Sequence, residues 1–142
     1  MKESRNIEAV RTMYSAFGRS DIAGVLGGMD EAIVFIVPGS SIIPMAGTRR
    51  GLEEVRRFFE DLDRRVEFSV FEPKEYIAQG NRVITLVRYE GRFRSTGRNF
   101  VAEAAMLWTI GNGKAIRFQE YTDTEALATA AQPASSRALG AN

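Results

Sequence analysis

The fold is decided by residues 82–123, which contain the runs RVITLVRYEGRF (82–93), NFVAEAAMLWTI (99–110) and AIRFQEY (115–121). Valine, isoleucine and aromatic residues, which favour strands, crowd all three runs. The first two runs are joined by Thr96-Gly97-Arg98, and the last two by Gly111-Asn112-Gly113. Asn-Gly is typical of tight hairpin turns. The stretch therefore predicts three long strands that follow one another along the chain.

Apolar side chains at helical spacing predict four helices, at residues 3–17, 22–29, 51–62 and 124–131. Ser20 or Asp21 can cap the second helix, and Thr122 or Asp123 the last, because their side-chain oxygens accept from exposed backbone N–H groups. Residues 40–50 are expected to form a loop or a broken strand. Helices followed by a run of antiparallel strands form an α+β order.

Two further strands are predicted before residue 82. The apolar run Ile33–Val37 has the composition of a buried strand. The run Val66–Ala78 contains Pro73, which lacks a backbone N–H, so this strand is expected at a sheet edge or with a bulge. We predict a single domain over residues 1–131. Residues 132–142 are polar and without pattern, which predicts a disordered tail.

The composition limits the chemistry of this 142-residue chain. It has no cysteine and no histidine, which excludes thiolate catalysis and the commonest ligands of transition metals. A net charge of +1 argues against binding to nucleic acid. The charged N-terminus has no apolar signal-peptide region, and no apolar run is long enough to cross a membrane. We therefore expect a cytoplasmic protein with no metal, membrane or nucleic-acid partner.

Several short motifs, in this order and spacing, resemble the SnoaL-like branch of the NTF2-like superfamily. They are Ala16-Phe17, Ser20-Asp21, Val37-Pro38-Gly39, Arg50-Gly51-Leu52-Glu53-Glu54-Val55, Thr96-Gly97-Arg98, Gly113-Lys114-Ala115-Ile116 and Glu120-Tyr121-Thr122-Asp123. The resemblance implies a cone-shaped barrel in which a curved mixed or antiparallel sheet wraps around the N-terminal helices and an internal pocket. It also implies a homodimer formed through the outer face of the sheet.

Members of this superfamily include polyketide cyclases, ketosteroid isomerases, epoxide hydrolases, dehydratases and proteins without known catalysis. The alignment to ketosteroid isomerase places Met13 and Ile36 where that enzyme has its tyrosine and its general-base aspartate. Neither side chain can move a proton. The alignment to epoxide hydrolase matches Arg88, Glu90 and Asp123, but replaces its water-positioning tyrosine and asparagine by Phe35 and Val37. The resemblance therefore does not select one reaction.

Asp123, Arg88 and Glu90 are the catalytic candidates. Residues two apart on a strand share a face, so Arg88 and Glu90 can point together into the cone, where the arginine would tune both acids. The alternatives are a salt bridge on the other face for Arg88 and Glu90, and a helix N-cap for Asp123. Apolar residues on both faces of this strand leave its orientation open.

The ligand-binding candidates are aromatic, apolar or set among small residues: Tyr14, Phe17, Phe35, Met45, Phe58, Glu103 and Trp108. The alternatives are core packing for the aromatic residues and a partner for a neighbouring arginine for Glu103. We expect a small, largely apolar ligand and acid–base chemistry without a cofactor, either cyclisation or isomerisation, or hydration or dehydration. The competing hypothesis is a non-catalytic, dimeric ligand-binding or interaction module.

Overall fold

The computed structural model describes residues 2–133. In this part of the chain, four helices and six strands follow in the order α1 Lys2–Gly18, α2 Ile22–Leu26, β1 Met29–Val37, β2 Gly47–Arg50, α3 Leu52–Arg65, β3 Val66–Gln79, β4 Arg82–Phe93, β5 Asn99–Gly111, β6 Lys114–Tyr121 and α4 Thr124–Ala131. The expected disordered tail lies, from residue 134 onward, outside the described residues.

The six strands form one sheet in the order β2-β1-β6-β5-β4-β3. All neighbours are antiparallel except β1 and β6, which run parallel. The sheet is therefore mixed and open, with β2 and β3 at its edges, and the α+β class is confirmed. Irregular pairing in β1, β3 and at the β5–β6 pair introduces the bends and extra twist that curve a sheet.

Pro73 lies on the edge strand β3, beside a register shift between Pro73 and Glu75. Both parts of the sequence-based prediction for this proline are thus confirmed. The second helix is shorter than predicted, because Met29 already belongs to β1. Its N-cap is Asp21, which accepts a hydrogen bond from the backbone N–H of Gly24 at 2.9 Å.

The sheet has an inner face, covered by α1 and α3, and an outer face on its other side. Along β4 every second residue from Val83 to Phe93 is buried, and the residues between them are more exposed. Along β5 every second residue from Phe100 to Ile110 is likewise buried on the inner face. The hydrophobic core lies between this inner face and the helices. None of the helices within residues 2–133 has the length and apolar character needed to span a membrane.

Candidate functional site

A cavity of about 110 Å³ lies between the inner face of the sheet and helices α1 and α3. Its wall includes six of the seven residues that the sequence suggested for ligand binding: Tyr14, Phe17, Phe35, Met45, Phe58 and Trp108. Their role in binding stays a prediction. The seventh candidate, Glu103, is exposed on the outer face and does not line the cavity.

Aromatic rings make up much of the cavity wall. The rings of Phe35 and Phe118 stack with centroids 4.2 Å apart and an interplanar angle of 19°. The rings of Phe71 and Tyr89 are nearly parallel, at 6° and 5.9 Å. Flat walls of this kind offer a large apolar contact area to a planar molecule.

Glu120 is the one carboxylic acid among the cavity-lining residues of the described chain. Strand β6 brings it to the inner face, two residues after the buried Phe118 and directly across from Met106 on β5. Part of the residue remains accessible to solvent, but protein surrounds its carboxyl group. Loss of hydration raises the pKa of the Glu120 carboxyl above its usual value, because burial disfavours the charged form.

Tyr89 holds the Glu120 carboxyl group in place. The Tyr89 hydroxyl donates to Glu120 Oε2 at 2.8 Å and lies 2.7 Å from Thr122 Oγ1. Burial raises the pKa of Tyr89, and the neighbouring Glu120 raises it further. The phenol therefore stays protonated and acts as a donor, which opposes part of the upward shift in the pKa of Glu120. A buried acid with one fixed donor can both hold and release a proton inside an apolar cavity.

Tyr14 on α1 adds a second hydroxyl to the cavity wall. Its oxygen accepts a hydrogen bond from Trp108 Nε1 at 3.0 Å, and its own proton points to Met106 Sδ at 3.2 Å. Burial raises the pKa of Tyr14, so this phenol is also neutral.

The three catalytic candidates suggested by the sequence do not converge on the cavity. Arg88 and Glu90 lie half-buried on the outer face of β4, where Arg88 donates to Glu90 Oε2 at 2.9 Å. This is the salt-bridge alternative. Glu103 lies across from Arg88 on the same outer face.

Asp123 is exposed between β6 and α4 and does not line the cavity. Its Oδ1 accepts from the backbone N–H of Ala126 at 3.0 Å, which makes it the N-cap of α4. The capping prediction is confirmed.

Sequence reasoning missed Glu120 and Tyr89 as functional candidates. The signal that could have found Glu120 is its place two residues after Phe118, because strand alternation puts it on the face of a buried aromatic residue. For Tyr89 the signal is its spacing from Val83, Thr85 and Val87, all of which face the core. Within residues 2–133 there is no group of three or more acidic side chains placed to hold a metal ion.

Comparison with known proteins finds relatives over nearly the whole chain. The family model for a SnoaL-like domain matches residues 10–118. An NTF2-like protein from Burkholderia xenovorans LB400 is 35% identical, with a TM-score of 0.84 over 92% of this chain and 98% of that one. An NTF2-like protein from Burkholderia thailandensis E264 is 31% identical, with a TM-score of 0.81 over 90% and 98% of the two chains.

TerC, co-crystallised with polyporic acid, is 27% identical to the chain, with a TM-score of 0.80 over 89% of this chain and 98% of that one. None of the curated protein sequences matches the chain at a significant level.

Proposed function

The chain belongs to the SnoaL-like domain family, and from that premise we propose that it binds a small, largely apolar molecule in the internal cavity and catalyses proton transfer within that molecule without a cofactor. The observation that carries the proposal is Glu120, a carboxyl group surrounded by protein in the wall of an aromatic cavity and hydrogen-bonded by Tyr89. General acids and bases work best when their pKa is moved toward the working pH, and burial moves that of Glu120 in this direction.

The proposed reaction is proton transfer next to a carbonyl group. The Glu120 carboxylate takes a proton from the carbon beside the carbonyl, and the electron pair of the broken C–H bond forms a C=C bond. The carbonyl π electrons move to the oxygen, which becomes negatively charged. In a ketone whose β and γ carbons share a C=C bond, the Glu120 carboxylic acid then returns the proton to the γ carbon. The electrons on the oxygen re-form the C=O bond, the new C=C bond lies between the α and β carbons, and no oxidant or reductant is needed.

The size and lining of the cavity support a ligand of this class. At about 110 Å³ the cavity is somewhat smaller than an apolar cavity of roughly 150 Å³ that binds benzene. A single ring with a short substituent therefore enters only if lining side chains move to make room for it. The structure of TerC with polyporic acid supports an organic small molecule as the ligand of this chain as well.

We therefore assign the proton-transfer role to Glu120 rather than to Asp123, Arg88 and Glu90. Arg88 and Glu90 are separated from the cavity by the thickness of the sheet, and Asp123 faces solvent. A carboxylate in solvent is not enclosed with a ligand that binds inside the cavity.

The second candidate function is ligand binding without catalysis. It is favoured by the closed network in which the Tyr89 hydroxyl lies within hydrogen-bond distance of both Glu120 and Thr122. In that case Glu120 would orient the ligand or the aromatic wall and would never exchange its proton with the ligand.

We further propose that two copies of the chain pair through the outer face of the sheet. Leu86, Ala105 and Tyr121 form a row across β4, β5 and β6, and Ile77, Ile84 and Leu107 form the next row from β3 to β5. Of these residues, Ile77, Leu86 and Tyr121 are 47%, 37% and 52% exposed. Pairing of two such faces would remove this apolar surface from water.

Acetophenone, a one-ring ketone, provides the test of function. Trp108 is the one tryptophan of the chain, so a ¹H–¹⁵N spectrum contains a single indole signal that reports on the cavity. We expect acetophenone to shift this signal in the wild-type protein and in Glu120→Gln. In D₂O, we expect the wild-type protein to accelerate exchange of the acetophenone methyl protons, and Glu120→Gln to lose the acceleration. Binding to both proteins without accelerated exchange would favour the non-catalytic function.

A further inference from the structure

The Tyr14 hydroxyl can donate its proton in a hydrogen bond to a ligand. Trp108 Nε1 already donates to the Tyr14 oxygen at 3.0 Å, so the Tyr14 proton must go to another acceptor. The acceptor in this structure is the thioether sulfur of Met106 at 3.2 Å. A thioether is a weak acceptor, so the exchange of this bond for one to a carbonyl oxygen is favourable.

Thr85, which lies opposite Met106 in the pairing of β4 and β5, has a hydroxyl without a hydrogen-bond partner among residues 2–133. The residue is fully buried on the inner face of β4, and none of the described residues completes a hydrogen bond to its Oγ1. Its hydroxyl nevertheless lies close enough to Tyr14 to lower the pKa of the phenol, as Trp108 also does. Valine has the same shape and would avoid a buried, unpaired hydroxyl, which is costly. An orphan polar atom of this kind calls for a role other than packing.

The sheet register places this cluster beside Glu120. Met106 lies directly across from Glu120 on β6 and from Thr85 on β4, so the three residues form one row on the inner face. Side chains opposite each other on neighbouring strands have Cβ atoms about 4.5–5.5 Å apart. Methionine side chains adapt readily to their surroundings. Met106 lines the cavity, so a ligand can displace its side chain and occupy the space between Tyr14 and Glu120.

We propose that Tyr14 is the residue that selects the ligand, by donating a hydrogen bond to a carbonyl oxygen in place of Met106. Trp108 is a positioning residue that polarises the Tyr14 hydroxyl, because a donor to its oxygen strengthens the bond that its proton makes. Thr85 is a second positioning residue, which turns its unpartnered hydroxyl to the same oxygen when the ligand displaces Met106. The ligand class is a one-ring ketone or quinone whose carbonyl oxygen points to Tyr14. This inference rests on the proposed function, since it assumes that the ligand enters the cavity.

Aromatic neighbours hold the Tyr14 ring independently of its hydroxyl, so Tyr14→Phe removes the hydroxyl and keeps the ring in place. The ring packs against Phe71, Tyr76 and Trp108 with centroid distances of 6.2, 6.2 and 5.9 Å. Phenylalanine preserves these contacts and removes the hydroxyl, which donates to Met106 and accepts from Trp108. The variant should therefore fold, which circular dichroism checks.

The test compares acetophenone with ethylbenzene, which has nearly the same shape but no carbonyl group. Titrations follow the Trp108 indole signal in the wild-type protein and in Tyr14→Phe. We expect Tyr14→Phe to weaken acetophenone binding by about threefold to tenfold, the effect of one lost neutral hydrogen bond, and to leave ethylbenzene binding unchanged. Thr85→Val should reduce the preference for acetophenone over ethylbenzene in the same direction, whereas a purely structural role of Thr85 would change both affinities together.

The possible failures are distinguishable. If both probes bind the wild-type protein and Tyr14→Phe changes their affinities equally, the assignment of Tyr14 is wrong and the cavity remains a ligand site. If neither probe shifts the indole signal of the wild-type protein, the assignment of Tyr14 and the proposed function both fail for ligands of this size.

Discussion

Replacement of Tyr89 by phenylalanine tests the link between Tyr89 and Glu120. The variant removes the hydroxyl that donates to Glu120 Oε2 at 2.8 Å, and it keeps the ring that stacks on Phe71. A hydrogen bond to a charged group contributes about 1.5–3 kcal/mol, whereas one to a neutral group contributes about 0.5–1.5 kcal/mol. Tyr89→Phe should therefore destabilise the protein more when Glu120 is ionised than when it is protonated.

The pH dependence follows from the direction of the pKa shift. The pKa of Glu120 is raised in the folded state above its ordinary value of 4.5, so the folded protein keeps a proton that the unfolded chain has released. Stability consequently falls as the pH rises from the unfolded to the folded pKa of this group. Loss of the Tyr89 donor raises the folded pKa further, which extends the fall to higher pH.

Urea denaturation of both proteins between about pH 4 and pH 9 measures this difference. We expect the destabilisation by Tyr89→Phe to be about 0.5–1.5 kcal/mol at the acid end and to reach about 1.5–3 kcal/mol at the alkaline end. Tyr14→Phe is the matched control, since it removes a phenol of the same cavity that bonds to Met106 and Trp108. Its effect should not vary with pH in this range. A destabilisation by Tyr89→Phe that is constant across the range would refute the reasoning.

Three further predictions concern single substitutions. In the wild-type protein, ionisation of Glu120 should lower the stability as the pH rises above about 4.5, and Glu120→Gln should lack this contribution. A pH dependence of urea stability that is the same in both proteins would contradict the raised pKa of Glu120. Asp123→Ala should lower the free energy of unfolding by about 0.5–2 kcal/mol, and Asp123→Asn should lower it much less. Both variants should still accelerate proton exchange in acetophenone, and loss of this exchange in Asp123→Asn would return the catalytic role to Asp123. Leu86→Arg should convert a dimer to a monomer in sedimentation, and a monomeric wild-type protein would contradict pairing through the outer face.

Much of the fold follows from local patterns. Strand β4 begins at Arg82 and ends at Phe93, as its composition predicts, because the turns after Gln79 and after Phe93 interrupt the run on both sides. The same holds for α4, where Asp123 satisfies the exposed N–H of Ala126. These features depend on neighbouring residues along the chain, which a sequence displays directly.

The face on which Arg88 and Glu90 lie could not be predicted, because it depends on packing between distant segments. Leu86 shares their face and Val87 lies on the other, so both faces of β4 carry apolar side chains. The choice is made by α1, which covers the inner face. The hydrogen bond between Tyr89 and Glu120 joins residues that are 31 positions apart, so no local sequence pattern predicts it.

The most direct test of proton transfer by Glu120 is the titration of its carboxyl group. ¹³C NMR of protein labelled at the glutamate side chains measures this titration, and the signal that is missing from Glu120→Gln identifies the residue. We expect Glu120 to titrate clearly above the ordinary value of 4.5, and at still higher pH in Tyr89→Phe. A Glu120 signal that titrates at or below 4.5 in the wild-type protein would contradict the proposal that this buried carboxyl group transfers protons in the cavity.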